Sequence, residues 1–256
     1  MTLRAEPSTI PFGDGERFAY TYNGTSPGPT LLVRPGDRLE ITLENRLDEP
    51  TNLHTHGLHV SPTGDSDNIF VTVGPGRSHR YTYEIPADHR SSLCWYHPHH
   101  HGTVAAQISG GLFGGIVVED ALDQLPAIAG STERLLMLSD PRIGASRSVL
   151  EVGAMQVMQG REGGAALVNG LLAPRLTVPA GTLERWRVLN ASASRFYRLG
   201  LAWFWELWVV ELTREVPGAE RLAEVLRETA AFSFAYTDAV LRFLLQLPRA
   251  TPGRLG

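Results

Sequence analysis

Apolar and polar residues alternate with period two along most of the first 120 positions, the pattern of half-buried β-strands. Residues 18–22 alternate and run into Asn23-Gly24, a hairpin-turn dipeptide. Residues 30–34 lead to Pro35-Gly36-Asp37, and residues 39–45 alternate after it. Residues 71–73 precede Gly74-Pro75-Gly76, residues 79–85 alternate again, and residues 114–119 close the unit. Short strands at regular spacing with Gly/Pro turns predict an all-β sandwich or barrel over residues 1–120. Residues 120–132 read as a linker. A second β region is expected over 134–200, with strands at 134–138, 166–170, 175–178 and 183–190 and a turn at Pro179-Ala180-Gly181.

The pattern changes at 201–256. Trp203, Trp205 and Trp208 fall within six residues. Residues 219–231 take helical spacing, with Leu222, Val225, Leu226 and Ala230 on one side. Thr237-Asp238 supplies a cap for a second helical stretch carrying Val240, Leu241, Leu244 and Leu245, which Pro248 stops. Helices in this position do not continue the β pattern, so an atypical helical tail is expected.

Charge and cysteine content narrow the function. A net charge of −4 argues against nucleic acid as a partner on bulk electrostatics. Cys94 is the only cysteine, which excludes an internal disulfide. No apolar run is long enough to span a membrane, and the first residues lack the apolar core of a secretory signal.

The histidines carry the chemistry. All nine lie between His54 and His101. Four form two His-x-His pairs, His54-Thr55-His56-Gly57 and His97-Pro98-His99. On a strand each pair projects both imidazoles to one side, so two neighbouring strands would set four nitrogen ligands on one surface. Imidazole suits copper, zinc, iron and nickel. By the same parity Trp95, His97 and His99 share a face, while Cys94 and Tyr96 face away, so Cys94 reads as a small buried core residue. His100 and His101 read as rim residues. His59, His79 and His89 read as isolated solvated or hydrogen-bonded histidines.

Four segments resemble the amino-terminal part of the multicopper oxidases, the laccase-like family of repeated cupredoxin domains. They are Tyr22-Asn23-Gly24 through Pro27-Gly28-Pro29-Thr30, His54-Thr55-His56-Gly57, Trp95-Tyr96-His97-Pro98-His99, and Gln107 followed by Gly110-Gly111-Leu112 and Gly114. Leu167-Val168-Asn169-Gly170 and Arg187-Val188-Leu189-Asn190-Ala191 resemble the family's second domain. The resemblance implies a Greek-key cupredoxin sandwich over 1–120, a partial second cupredoxin domain over 134–200 and copper as cofactor. It also implies dioxygen and a reducing substrate as partners, and a periplasmic or secreted location. In the family, eight histidines from four His-x-His motifs hold a trinuclear copper cluster that reduces dioxygen to water. By resemblance His54 would bind the type 2 copper, His56 and His97 one type 3 copper, and His99 the other. Asp65 or Asp67 would match an acidic residue that relays protons to the cluster; a turn role in Gly64-Asp65-Ser66-Asp67-Asn68 also explains both.

The sequence also departs from the family. The other two His-x-His motifs do not occur in it, nor does the His-Cys-His segment that supplies the type 1 copper thiolate. Cys94 sits between Leu93 and Trp95 and does not fill that role. Three accounts stand on this sequence. One is a truncated or frameshifted product, favoured for residues 201–256. This account draws on the chain's lack of lysine, which fits GC-rich coding DNA, where a shifted frame runs on without stop codons. A second is a subunit whose site is completed by a partner chain. The third is a non-catalytic copper-binding or copper-buffering module, with a mononuclear zinc or iron site as its non-copper form. Negligible oxidase turnover is expected of the isolated chain.

Overall fold

The fold is described from a computed structural model. It describes residues 1–119, 121–143, 158, 160–179, 182–197 and 199. The expected helices of the 201–256 tail lie outside these residues.

Two four-stranded sheets form the first sandwich. One has the order β2-β1-β4-β6, from β1 (Thr2–Phe12), β2 (Gly15–Tyr22), β4 (Arg38–Asn45) and β6 (Ser78–Glu84). The other has the order β3-β8-β7-β5, from β3 (Leu31–Val33), β8 (Gly114–Val118), β7 (Ser92–His97) and β5 (His54–His56). Alternation places Ile41 and Leu43 of β4 and Tyr81 and Tyr83 of β6 inward. They meet Val33, Cys94, Tyr96 and Ile116 from the facing sheet in one core. This is the all-β Greek-key cupredoxin sandwich that the motifs implied.

β1 was not anticipated. It pairs with β4 in parallel through residues 2–5 and with β2 antiparallel through residues 5–12. Pro7 and Pro11 lie in the stretch paired on one side only, where a missing N–H breaks no ladder. Those prolines hide the strand in the sequence. Conversely, residues 71–73 form no strand; only Val73 makes a bridge, to Thr51.

A third sheet, of order β11-β10-β9-β12, comprises β9 (Thr132–Ser139), β10 (Leu167–Val168), β11 (Leu171–Leu172) and β12 (Glu184–Asn190). β12 runs parallel to β9 over its whole length. Asn169 and Gly170, both at positive φ, turn β10 into β11, the hairpin geometry their sequence favours. Residues 175–178 are not a strand; they lie between Pro174 and Pro179 and pair with no described strand. The stretch expected as a linker contains a 3₁₀ turn (Ala121–Gln124) and the short helix α2 (Pro126–Ala129). Asp123 in that turn takes hydrogen bonds from Ser91 (3.2 Å) and Arg187 (2.9 Å) and pairs with Arg185. The linker is thereby tied to both β regions. Every residue of β8 is buried, and its Gly115 lies against Leu135 and Met137 of β9. No helix among the described residues is long and apolar enough to cross a membrane.

Candidate metal centre

β5 and β7 are antiparallel neighbours whose register sets His54 opposite His97 and His56 opposite Trp95. Directly opposed residues on one face lie within side-chain reach, so two sequence-distant motifs converge at this register. The ring centroids of His54 and His97 are 5.2 Å apart, and those of His56 and His97 5.8 Å. One ligand nitrogen from each of His54, His56 and His97 lies within 4.8 Å of the others.

His99 arrives differently from the parity expectation. β7 ends at His97, because Pro98 cannot donate to a ladder. The His99 ring still lies 5.1 Å from that of His54. What holds it is Asn52. The His99 N–H donates to Asn52 Oδ1 at 2.6 Å, while Asn52 Nδ2 donates to the carbonyls of Ile69 (2.8 Å) and Val71 (3.1 Å). Asn52 is fully buried. Sequence reasoning passed over it; the only signal was a polar residue just before an inward-facing strand. Gln107, on helix α1 (Val104–Gly110), braces the neighbouring loop. It donates to Glu49 (3.0 Å) and the Pro50 carbonyl (2.9 Å) and accepts from Thr51 (2.8 Å).

The tautomer of His97 follows from its hydrogen bond. His97 Nδ1–H donates to the Pro98 carbonyl at 2.9 Å, leaving Nε2 as the lone-pair nitrogen. That Nε2 is buried and has no hydrogen-bond partner among the described residues. Burial, with the neighbouring His54, His56 and His99, pushes the His97 pKa down to about 3 against the opposing Pro98 bond. His97 is therefore a neutral imidazole at pH 7. Burial and His54 also lower the pKa of His56. Trp95 lies against both motifs, stacked on His56 (5.5 Å) and 4.1 Å from the His97 ring centroid.

The two aspartates separate. Asp67 accepts from His54 Nδ1 (2.9 Å to Oδ2) and from the Thr55 N–H (2.7 Å to Oδ1). Burial pulls its pKa upward, but the His54 and Thr55 hydrogen bonds outweigh it, so the carboxyl sits below its ordinary range. A carboxylate on the far nitrogen of a ligating histidine fixes ring orientation and raises basicity. Asp65 lies 3.5 Å from His79 Nε2 and is largely exposed.

Cys94 is buried on the opposite side of β7, among the core residues. Burial pushes its thiol pKa up to about 11, against a hydrogen bond with Ser92. It contributes nothing to the histidine face. His59 and His89 are not isolated from each other: their rings are 5.0 Å apart, and the His59 N–H donates to His89 Nε2 at 3.2 Å. The other His89 nitrogen donates to the Arg90 carbonyl, so neither is left for a metal. His100 is half-buried and His101 exposed.

Three convergent imidazoles, one with an orphaned buried nitrogen, fit a copper ion, and the sandwich that carries them is of cupredoxin type. Comparison with known proteins specifies the class. Residues 4–123 match the family model described as multicopper oxidase. A multicopper oxidase of Staphylococcus haemolyticus is 34% identical over 204 residues, covering 78% of this chain and 44% of that relative. A cell division protein, FtsP, of Proteus mirabilis is 31% identical over 180 residues, covering 69% of this chain and 37% of its own length. The solved multicopper oxidase of Campylobacter jejuni, described as a metallo-oxidase, superposes with a TM-score of 0.67 at 35% identity. That match covers 76% of this chain and 40% of the Campylobacter chain. The chain belongs to the multicopper oxidase family, whose cofactor is copper. It spans less than half the length of these relatives.

Proposed function

We propose that this chain is a copper-binding part of a laccase-like multicopper oxidase, with His54, His56, His97 and His99 as its copper ligands. One cupredoxin domain over 1–120 would carry the ligands, 134–200 would form part of a second, and 201–256 an atypical tail. The observation that carries the reading is the His54–His56–His97 trio with the orphaned buried Nε2 of His97. Bound copper would supply the one-electron chemistry that couples oxidation of a reducing substrate to reduction of dioxygen to water. Among the protein's own groups, His97 presents a neutral, desolvated nitrogen and Asn52 holds the backbone of His99. Asp67, held ionised, orients His54 through Oδ2, the role by which it stands ahead of Asp65.

His56 is exposed while His97 is buried, so the cluster opens on the His56 side. This favours completion of the site by ligands that the 256 residues do not contain, from a partner chain or a further domain. The isolated chain then binds copper without oxidase turnover.

Copper loading followed by metal analysis and visible spectroscopy tests this. Copper is expected to bind without an intense blue band, and the His97→Ala/His99→Ala variant is expected to lose most of it. Unchanged stoichiometry in the variant would overturn the ligand assignment. An intense blue band would overturn the exclusion of Cys94.

A further inference from the structure

Arg17 is a buried cation with no acidic partner among the described residues. It lies on the inward side of β2 with Ala19 and Thr21 and is 3% exposed. Among the described residues it forms no ion pair. Its only hydrogen bond is a long one, 3.5 Å from Nη1 to the adjacent Phe18 carbonyl, and its Nε has no partner at all. A guanidinium does not shed its proton in a protein, so the charge persists in the interior. Burial lowers its pKa with no compensating charge acting the other way. Among the described residues Arg187 pairs with Asp123 and Glu133, Arg134 with Glu184, and Arg195 with Asp140.

Arg17 also lines a cavity of about 10 Å³ between the end of α1 and the ends of β9 and β12, with Ser109, Ser139, Asp140 and Ser192. The acidic member of that lining is committed elsewhere. Asp140 accepts from Arg195 Nε at 2.8 Å and from the Gly163 N–H at 3.0 Å. The space has room for one compact group. A lone buried charge beside polar space of that size is stabilised by a small counter-ion.

We propose that this cavity is an anion site, in which Arg17 holds a single monovalent anion of halide size where the first sandwich meets the third sheet. The site is independent of the copper ligands. Occupancy links the two β regions, because the guanidinium comes from β2 and part of the lining from β9 and the residues after β12.

The test uses the full chain with a chelator present, so that no halide acts through bound copper. Its thermal midpoint is compared in sodium chloride and in sodium gluconate at equal ionic strength. Wild-type protein is expected to melt higher in chloride, by about 3 °C at roughly ten times the dissociation constant. Arg17→Met is expected to show no chloride response and to be no less stable than wild type in gluconate. A flat wild-type response, or an equal gain in Arg17→Met, would overturn the proposal. Wild-type crystals soaked in sodium bromide give a reading that does not depend on the variant folding. An anomalous peak beside the guanidinium supports the site, and a cavity holding water only refutes it.

Discussion

At the residue scale, the centre depends on side chains that do not themselves reach a metal. Asp67 bonds to His54 Nδ1 and to the Thr55 N–H between the two histidines of the first motif, fixing ring and strand together. Asp67→Ala should weaken copper binding about 10- to 100-fold, as expected for loss of a carboxylate behind a ligating histidine. Competition titration against a chelator of known affinity measures this, and an unchanged affinity would remove Asp67 from the site. The corresponding alanine variant of Asp65 should leave affinity close to wild type, since among the described residues its carboxylate approaches His79 and not the His54–His56–His97 trio. Neither difference was visible in the sequence, where both aspartates sit in one turn two residues apart. The distinction arises because the loop folds back across β5, and chain spacing carries no record of that.

At the element scale, β5 is only three residues long and must end sharply so that the chain leaves the metal face. Gly57 performs this exit at φ +101°, and a Cβ placed there would lie 3.0 Å from Cys94 Sγ. Gly57→Ala should therefore cost about 1–3 kcal/mol, from backbone strain with the contact added. Combining it with Cys94→Ala should recover the contact portion but not the strain. Chemical denaturation of the two single variants and the double variant checks this, and strict additivity would mean that the contact is absent. Cys94 is thus a packing residue set against a glycine, as its strand parity suggested. The strands with clean alternation, β2, β4 and β6, were readable because one face of each is buried. β1 was not, because its prolines sit where a sheet edge tolerates them, and residues 175–178 misled because β-prone composition does not supply a partner strand.

At the scale of the whole molecule, the metal-free protein carries a buried neutral histidine that the unfolded chain would protonate. His97 falls from 6.5 to about 3 on folding, with burial as the leading cause. Between those values the unfolded state binds the extra proton, so stability is fully present above pH 6.5 and declines as pH falls toward about 3. Replacing His97 with glutamine should flatten part of this decline. Denaturation midpoints of metal-free wild type and His97→Gln across that window measure it, and equal slopes would show that His97 is not buried as a neutral group.

The sequence by itself determined the strand pattern of the first sandwich, the two His-x-His pairs, and the placement of Cys94 on the side of its strand away from them. These follow from a period of two and from residue chemistry, which are local properties. Only the tertiary structure decided the register that sets His54 opposite His97, the Asn52 brace that brings in His99 beyond a proline, the contact of Asp67 rather than Asp65 with His54, and the burial of Arg17 away from any described carboxylate. Each of these depends on which groups from distant parts of the chain end up in the same buried space. Desolvation and hydrogen-bond satisfaction act on that proximity, not on order along the chain.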